Sequence, residues 1–542
     1  VVTAVPRKDQ SVVIRFGYGL NTRASEDEID PRECSAGQNF ILDLENREFR
    51  NRPPFDLVAT ASNAGSIDGF AQLIKADGTR STLVQAGTTV YEWDGATGFT
   101  SVGTVLTGTK MRGPWNANWT LADKVIISDI AGVNPLSEWD GTTFQHVAHN
   151  LTGAFVAKYC LIVDERAFYG NVSSNGTATP HLIAGSTLSD YKTISVSNRP
   201  SSSLGASDPF YLLTPDLKPV NGINSAFGIT VFSSKKGRLF NLSGTDSTNF
   251  AIDEFYPGSA ASGDESIVFV GNDFMYGRQG RIEAVSSTTN FGDVESDDLS
   301  RMIAGDVETF DDWTAVANLR LQRVYFFPSG EQQCLMLQKS LRDQETRFAT
   351  GRALQGVSPK SPWSKYVTAH AFAFEPTAVM NMYDQIDGLE YVFMGDANGN
   401  IYRMEGSGAS GDGGTASIAV SRTSPLFAIP LNAQAFNVEG WIKYRRNEAF
   451  TATLTLLWGG EVVLNEAITV AAPAISGRPV YSGGFHYSDT AGGAYYSAAF
   501  ENRFVREPFG IAGKSNEFQL QIEVDGTTSF RIAEVGLRFE AA

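Results

Sequence analysis

Phe70-Ala71-Gln72-Leu73-Ile74-Lys75, Ala76-Asp77-Gly78-Thr79-Arg80, Ser81-Thr82-Leu83-Val84-Gln85-Ala86 and, past Gly87-Thr88, Thr89-Val90-Tyr91-Glu92-Trp93-Asp94-Gly95 form the stretch that decides the fold. Its apolar residues recur with a period near two, and each run stops at turn residues. Asp77-Gly78 is a strong hairpin signal, because a tight type I′ turn needs positive φ at both central positions. Gly87-Thr88 and Asp94-Gly95 mark the next reversals, and Phe99-Thr100-Ser101-Val102 is the next strand. Four short strands joined by tight turns make one blade of a β-propeller.

The unit recurs. Tyr91-Glu92-Trp93-Asp94-Gly95 is echoed by Ser137-Glu138-Trp139-Asp140-Gly141, with the two tryptophans 46 residues apart. Propeller blades repeat at roughly 40–50 residues. Related hairpins follow at Gly237-Arg238-Leu239-Phe240-Asn241-Leu242-Ser243-Gly244, at Arg278 to Glu283, and at Gly395 to Met404. The predicted fold is therefore all-β, with a propeller of about six or seven blades. A stack of β-sandwiches with ordinary hairpins is the other arrangement these segments allow. Both Glu-Trp-Asp-Gly copies lack the Gly-His partner of a full WD repeat. Their tryptophans are expected to pack between blades, with Asp-Gly making the turn.

Composition divides the rest. With 542 residues, two or three domains are expected. Residues 55–405 are assigned to the propeller, and residues 1–54 to an N-terminal docking arm and first strands. The Gly/Ser-rich stretch 406–416 is read as a linker. Residues 417–542 are read as a β-sandwich-like domain, with strands at Ser417–Ser421, Ala435–Arg446, Thr451–Trp458, Phe518–Val524 and Ser529–Phe539. Hydrophobic residues at 42% and charged residues at 19% describe an ordinary packed protein. A net charge of −17 argues against a surface that grips phosphates. No run of 18 apolar residues suggests a membrane span, and the first residues do not read as a secretory signal.

Candidate chemistry is thin, and no catalytic, cofactor or metal residue is assigned. Cys34, Cys160 and Cys334 are widely spaced and odd in number, so neither a zinc site nor a disulfide framework is expected. Of His146, His149, His181, His370 and His486, only the first two form a pair, and H-x-x-H on a strand points to opposite faces. Asp396-Ala397-Asn398-Gly399-Asn400 imitates half an EF-hand loop, but Ile401 stands where glycine is required. It reads as a turn. Acidic clusters lie at Glu26, Asp27, Glu28 and Asp30, at Asp293, Glu295, Asp297 and Asp298, and at Asp306, Glu308, Asp311 and Asp312. Paired carboxylates are what a glycosidase uses, whereas charge runs in sequence are usually solvated loops. Ser243-Gly244-Thr245-Asp246-Ser247-Thr248-Asn249-Phe250 is a partial likeness to a sialidase box, with its Asp one residue late.

A resemblance adds what composition does not. It rests on Gly19-Leu20-Asn21-Thr22-Arg23, Arg32-Glu33-Cys34, Ala36-Gly37-Gln38-Asn39 and Phe49-Arg50-Asn51-Arg52-Pro53. Further blocks are Val231 to Gly244, Ser266 to Asn272, Met275 to Ile282, and Pro362-Trp363-Ser364-Lys365-Tyr366 followed by Asp396 to Tyr402. Together, over about residues 15 to 405, these resemble the tail nozzle proteins of short-tailed bacteriophages, also called tail tubular protein B or DNA-stabilisation plug. Pro54 departs from that pattern, which has glycine there. The last pair of blocks resembles the family's closing blade. The resemblance implies a non-enzymatic virion protein made in the host cytoplasm. It implies a homo-hexameric ring below the portal and its adaptor, in contact with tail fibres or other tail proteins. Such a ring retains packaged DNA and then lets it pass without sequence-specific binding, and acidic walls would let phosphates slide. A glycan-binding or glycan-cleaving propeller, and a hub or stopper of a longer tail, are the alternatives.

Overall fold

The computed structural model describes residues 10–15, 18–23, 28–30, 32–43, 48–61, 65–113, 115–225, 229–233, 238–256, 261, 265–270, 273–278, 280–287, 294–330, 335–341, 363–368, 374–405, 412–413, 416–428, 435–445, 450–458, 461–470, 500–503, 509–510, 517–526 and 530–541. The chain divides into two units. One is Pro53–Ser361 with His370–Gly414; the other is Val1–Arg52, Pro362–Ala369 and Thr415–Ala542.

In the first unit, seven antiparallel sheets follow one another among the described residues. The first contains Ile67–Ile74, Arg80–Ala86, Thr89–Trp93 and Phe99–Thr104, as the sequence predicts. The second runs from Ala117–Trp119 to Phe144–His146. The third takes a fifth strand, Phe210–Leu213, onto the long Thr177–Thr187. The fourth, fifth and sixth open with Val220–Asn224, Ile267–Val270 and Trp313–Asn318. The seventh contains Ala378–Tyr383, Glu390–Gly395 and Asn400–Arg403, and its fourth strand is Asp56–Thr60 from the front of the unit. That strand closes the ring. A β-propeller is the result.

The two Glu-Trp-Asp-Gly copies explain how neighbouring sheets adhere. Trp139 is fully buried and donates its indole N–H to Ser81 Oγ of the preceding sheet at 3.0 Å. Trp93 packs edge-on against Phe393 of the seventh sheet, with ring centres 5.6 Å apart. The aspartates make the turns: Asp94 Oδ1 accepts the N–H groups of Ala96 and Gly98, and Asp140 Oδ1 accepts those of Thr142 and Thr143. Gly95 and Gly141 both have positive φ, where a side chain would be strained. At Gly277 the need is different, since a Cβ there would press into the Trp313 ring of the next sheet.

The second unit holds two sheets. One joins Phe40–Asp43, Glu48–Asn51, Arg531–Ala541, Ala435–Arg445 and Phe500–Arg503, and the other joins Ala36–Gln38, Ile418–Thr423, Glu517–Gly526, Phe450–Trp458 and Glu461–Val470. Phe49 and Phe450, one from each sheet, both lie against Phe530, with ring centres 5.5 and 5.8 Å away. This is a sandwich-like core.

The division differs from the one read in the sequence. Residues 1–52 do not form an arm separate from the sandwich of residues 417–542; their strands are woven into its sheets. Phe40 and Phe49 are fully buried there, so the segment has a core face that its polar neighbours disguise. Pro362–Ala369 also groups with this unit, and the strand that completes the seventh sheet is Asp56–Thr60. Of the linker read at residues 406–416, 406–411 and 414–415 lie outside the described residues. Asp412 and Gly413 are held against the closing strand, with Asp412 Oδ1 accepting the Phe55 N–H at 3.1 Å.

Candidate functional site

Two places concentrate polar side chains. The first is a cavity of about 590 Å³ in the propeller unit. Its wall comes from residues that lead into, or begin, the first strands of several sheets: Ser66 and Asp68, Arg112, Glu265, Asp312 to Thr314, and Glu375 to Thr377. It therefore sits where the blades converge.

An ion pair crosses it. Arg112 Nε lies 3.1 Å from Glu265 Oε1, and Arg112 is 8% exposed. The second carboxylate oxygen of Glu265 accepts the Thr314 hydroxyl at 3.1 Å, so Arg112 and Thr314 reach this group from the second and sixth sheets. Glu375 Oε1 accepts the Gly330 N–H at 2.9 Å, and Asp312 Oδ1 accepts the Trp313 N–H at 3.0 Å. Nearby, Trp115 packs edge-on against Tyr159 at 4.9 Å, and a Cβ on Gly222 would meet its ring. The first strands of the third and fourth sheets thus converge on one buried indole.

The second place lies in the sandwich unit and is made from the blocks that carry the resemblance. Asn39 has φ of +60°, a conformation Asn tolerates better than most residues. Its Oδ1 accepts Arg52 Nε at 2.8 Å and the Val367 N–H at 2.8 Å. Its Nδ2 donates to the Ala419 carbonyl at 2.8 Å, and its own N–H donates to the Lys365 carbonyl at 2.7 Å. The Arg52 guanidinium also lies over the Tyr366 ring. Asn21 Nδ2 donates to Glu33 Oε2 at 2.7 Å, while burial pushes the Glu33 carboxyl up. Arg422 donates to the Arg32 carbonyl at 2.8 Å and lies over Phe40 and Phe49; burial lowers its pKa. Blocks hundreds of residues apart in sequence thus meet as one buried lock.

The remaining candidates are dispersed. His146 is exposed and within hydrogen-bond distance of Ser137 Oγ, while His149 packs on Phe155, its pKa lowered by burial. His370, His486 and Cys334 lie outside the described residues. Asp396 makes the predicted turn: its carboxylate accepts the N–H groups of Asn398 and Asn400, the Asn400 amide and the Tyr402 hydroxyl. Asp246 likewise caps its own turn, accepting the N–H and hydroxyl of Thr248. Burial pushes the Cys160 thiol up. Of the acidic clusters, Asp312 reaches the cavity, whereas Asp30 pairs with Arg32. Glu26, Asp27 and Asp293 lie outside the described residues. No group of three or more metal-ligating side chains occurs among the described residues.

Sequence reasoning passed over Glu138, the acid inside the second Glu-Trp-Asp-Gly copy. It is buried between the second and third sheets, where Lys124 Nζ lies 2.6 Å from Oε1 and the Tyr191 hydroxyl donates to Oε2. Burial would raise its pKa, but Lys124, Tyr191 and Gln145 outweigh it, and the net shift is downward. The equivalent Glu92 accepts the Ser81 hydroxyl, so the Glu of the repeat carries a signal of its own.

No protein-family model matches the chain, and no curated protein matches it. Among solved structures, the WD40 domain of Toxoplasma gondii coronin is similar over 65% of this chain and 83% of its own, at 10% identity and a TM-score of 0.34. An exo-β-1,3-galactanase from Phanerochaete chrysosporium covers 87% of this chain and 99% of its own, at 8% identity and a TM-score of 0.22. A family 43 arabinoxylan arabinofuranohydrolase from Bacillus subtilis covers 91% and 96%, at 7% identity and a TM-score of 0.18.

Proposed function

We propose that this protein is a structural component of a bacteriophage tail, a nozzle-like ring subunit that retains packaged DNA and lines its exit. The observation that carries the reading is the lock around Asn39 and Arg52. Asn39 and Arg52, on which the family resemblance rests in part, serve to join chain segments, as a scaffold requires: they bond to each other, and Asn39 also bonds to the backbone of Val367 and Ala419. The net charge of −17 suits the role, because carboxylates facing a lumen repel phosphates and let a duplex slide. Salt screens that repulsion beyond about 8 Å under physiological conditions, so the effect acts at the wall.

Electron microscopy of the purified full chain, alone and mixed with portal–adaptor rings, tests the reading. Six-fold rings, or addition of the chain to the adaptor, are the expected results. A chain that stays monomeric and does not join portal–adaptor assemblies overturns it. So does a ring whose lumen is lined by Lys and Arg.

A further inference from the structure

We propose that two unlike patches on far sides of the propeller are the halves of one self-association surface, through which a second copy of this chain docks head to tail. The proposal rests on the ring reading above and names the surface that builds the ring. The first patch lies on hairpins of the sixth and seventh sheets. Ile386 is 69% exposed, more than any other large apolar side chain among the described residues, and Leu389 and Leu319 are 45% and 49% exposed. The three share one place. Arg320 donates through Nε and Nη2 to the Glu390 carbonyl at 3.0 and 2.8 Å, which holds the Leu319 loop beside the Leu389 loop. On the other flank, a Cβ on Gly95 of the first sheet would meet Gln385 and Ile386. Single exposed leucines need no explanation, whereas apolar side chains grouped on adjoining loops mark an interaction surface.

Charge identifies the occupant. The Arg320 guanidinium lies 4.7 Å from the centre of the Tyr391 ring, and that of Arg80 lies 3.8 Å from the Tyr383 ring. Both arginines donate to backbone carbonyls, and neither has a carboxylate within ion-pair distance among the described residues. The acids of the same hairpin are engaged within it. Asp387 accepts the Tyr391 hydroxyl at 2.8 Å, and Glu390 stands beside the Tyr383 hydroxyl, whose pKa it raises. A surface of aliphatic, tyrosine and arginine side chains has the composition of a protein interface, and the partner that fits it sets an apolar side chain among carboxylates.

The third sheet presents that arrangement. Leu188 is 43% exposed on the turn before Asp190–Ile194, and its N–H donates to the Ser207 carbonyl at 3.1 Å. Ser189 donates to Glu165 through its N–H at 2.8 Å and its hydroxyl at 2.6 Å. Three loops therefore meet at Leu188, and they carry Asp164, Glu165 and Asp208, all exposed. None of these carboxylates has a cation within ion-pair distance among the described residues. The third and seventh sheets stand three places apart one way round and four the other, so the two patches lie across the propeller from each other. Like-with-like pairing would set Arg320 against Arg320 and carboxylate against carboxylate. Unlike patches on one chain join copies head to tail instead, and such contacts close into rings.

Photocrosslinking and sedimentation of the full chain, alone and on portal–adaptor rings, test this. A benzophenone amino acid placed at position 386, in mixtures of light and heavy isotope-labelled copies, is expected to crosslink to residues 164–190 or 205–208 of a second copy. Ile386→Asp is expected to weaken association about ten-fold or more, because it puts a carboxylate where an apolar anchor docks. Arg320→Glu should weaken it about ten-fold, and combining it with Glu165→Arg in one chain should recover most of that loss. Leu106→Ser, exposed but outside both patches, is expected to change nothing. Circular dichroism establishes that each variant is folded. Crosslinks confined to other parts of the chain overturn the proposal, as does association that survives Ile386→Asp. A charge-swapped chain no better than Arg320→Glu also overturns it. In all three cases copies still assemble, so the tail reading stands. A chain that makes no contact with a second copy, alone or on portal–adaptor rings, overturns both.

Discussion

Arg52 Nε donates to Asn39 Oδ1 at 2.8 Å, and both residues are buried in the sandwich unit. The same oxygen accepts the Val367 N–H, so one side-chain amide ties the N-terminal strands to a segment more than 300 residues away. Replacing Arg52 with Met keeps much of the stem and removes the charged donor. A hydrogen bond to a charged group contributes about 1.5–3 kcal/mol, and a loss of that size is expected for the sandwich unit. Hydrogen exchange should quicken in residues 36–43 and 418–423 while the propeller stays protected. Unchanged exchange in those strands would refute the lock.

Trp139 probes blade adhesion. Its indole N–H donates to Ser81 across the first two sheets. Trp139→Phe removes that bond but keeps most of the buried ring, and a cost of about 0.5–1.5 kcal/mol follows. Trp139→Ala also opens a cavity and is expected to cost about 3–5 kcal/mol. Chemical denaturation of the two variants should rank them in that order. Equal costs would mean that packing contributes little here.

How much of this was readable in advance depends on how local each cause is. The hairpins near Trp93 and Trp139 follow from neighbouring residues, since Asp and Gly supply the turn and alternation supplies the faces. The closing strand and the woven N-terminus do not, because Asp56 pairs with Arg403 and Gln38 with Ser421. Nothing within residues 36–51 announces such distant partners. The axial cavity was equally hidden: Asp68, Glu265 and Asp312 share no spacing and meet only because the ring closes. Asp312 stands in an acidic cluster that reads in sequence as a solvated loop, whereas its cavity neighbours come from other blades.

Glu138 gives a pH dependence whose sign is determined. Its pKa is lowered in the folded protein, so its stabilising contribution is full above the ordinary glutamate value and is lost as pH falls through the folded value. Glu138→Gln removes the charge facing Lys124 and Lys192. The stability gap between wild type and variant should be level from pH 6 to 8 and shrink below about pH 4.3, the unperturbed value. Denaturation at stepped pH measures it. A gap that widens with acid would contradict the assignment.

The Asp396 loop is built as a turn, and calcium separates this reading from a metal site. Both carboxylate oxygens already accept hydrogen bonds from the loop itself. Adding calcium, or a chelator, is expected to leave the melting temperature unchanged. A rise with calcium that Asp396→Asn abolishes would reverse that reading, since a bound ligand stabilises by mass action.

Ring closure rests on the short strand Asp56–Thr60, and Arg403 fastens it. The guanidinium lies 2.7 Å from Asp384 Oδ2 and 3.3 Å from Asp56 Oδ2, and it sits over the Tyr391 ring at 4.8 Å. Asp384 belongs to the sheet's own hairpin and Asp56 to the incoming strand, so the side chain bridges strand and sheet. Arg403→Met should leave the other sheets intact and free the closing strand, because five residues of ladder are a small share of the propeller's contacts. Amide exchange in residues 56–60 and 400–403 is expected to quicken at least ten-fold, with little change in residues 80–93. Arg403→Lys should restore only part of the protection, since an ammonium cannot span two carboxylates with a planar fork. Uniform acceleration in every sheet would show that closure and the whole ring open together, and that the strand is no separate weak point.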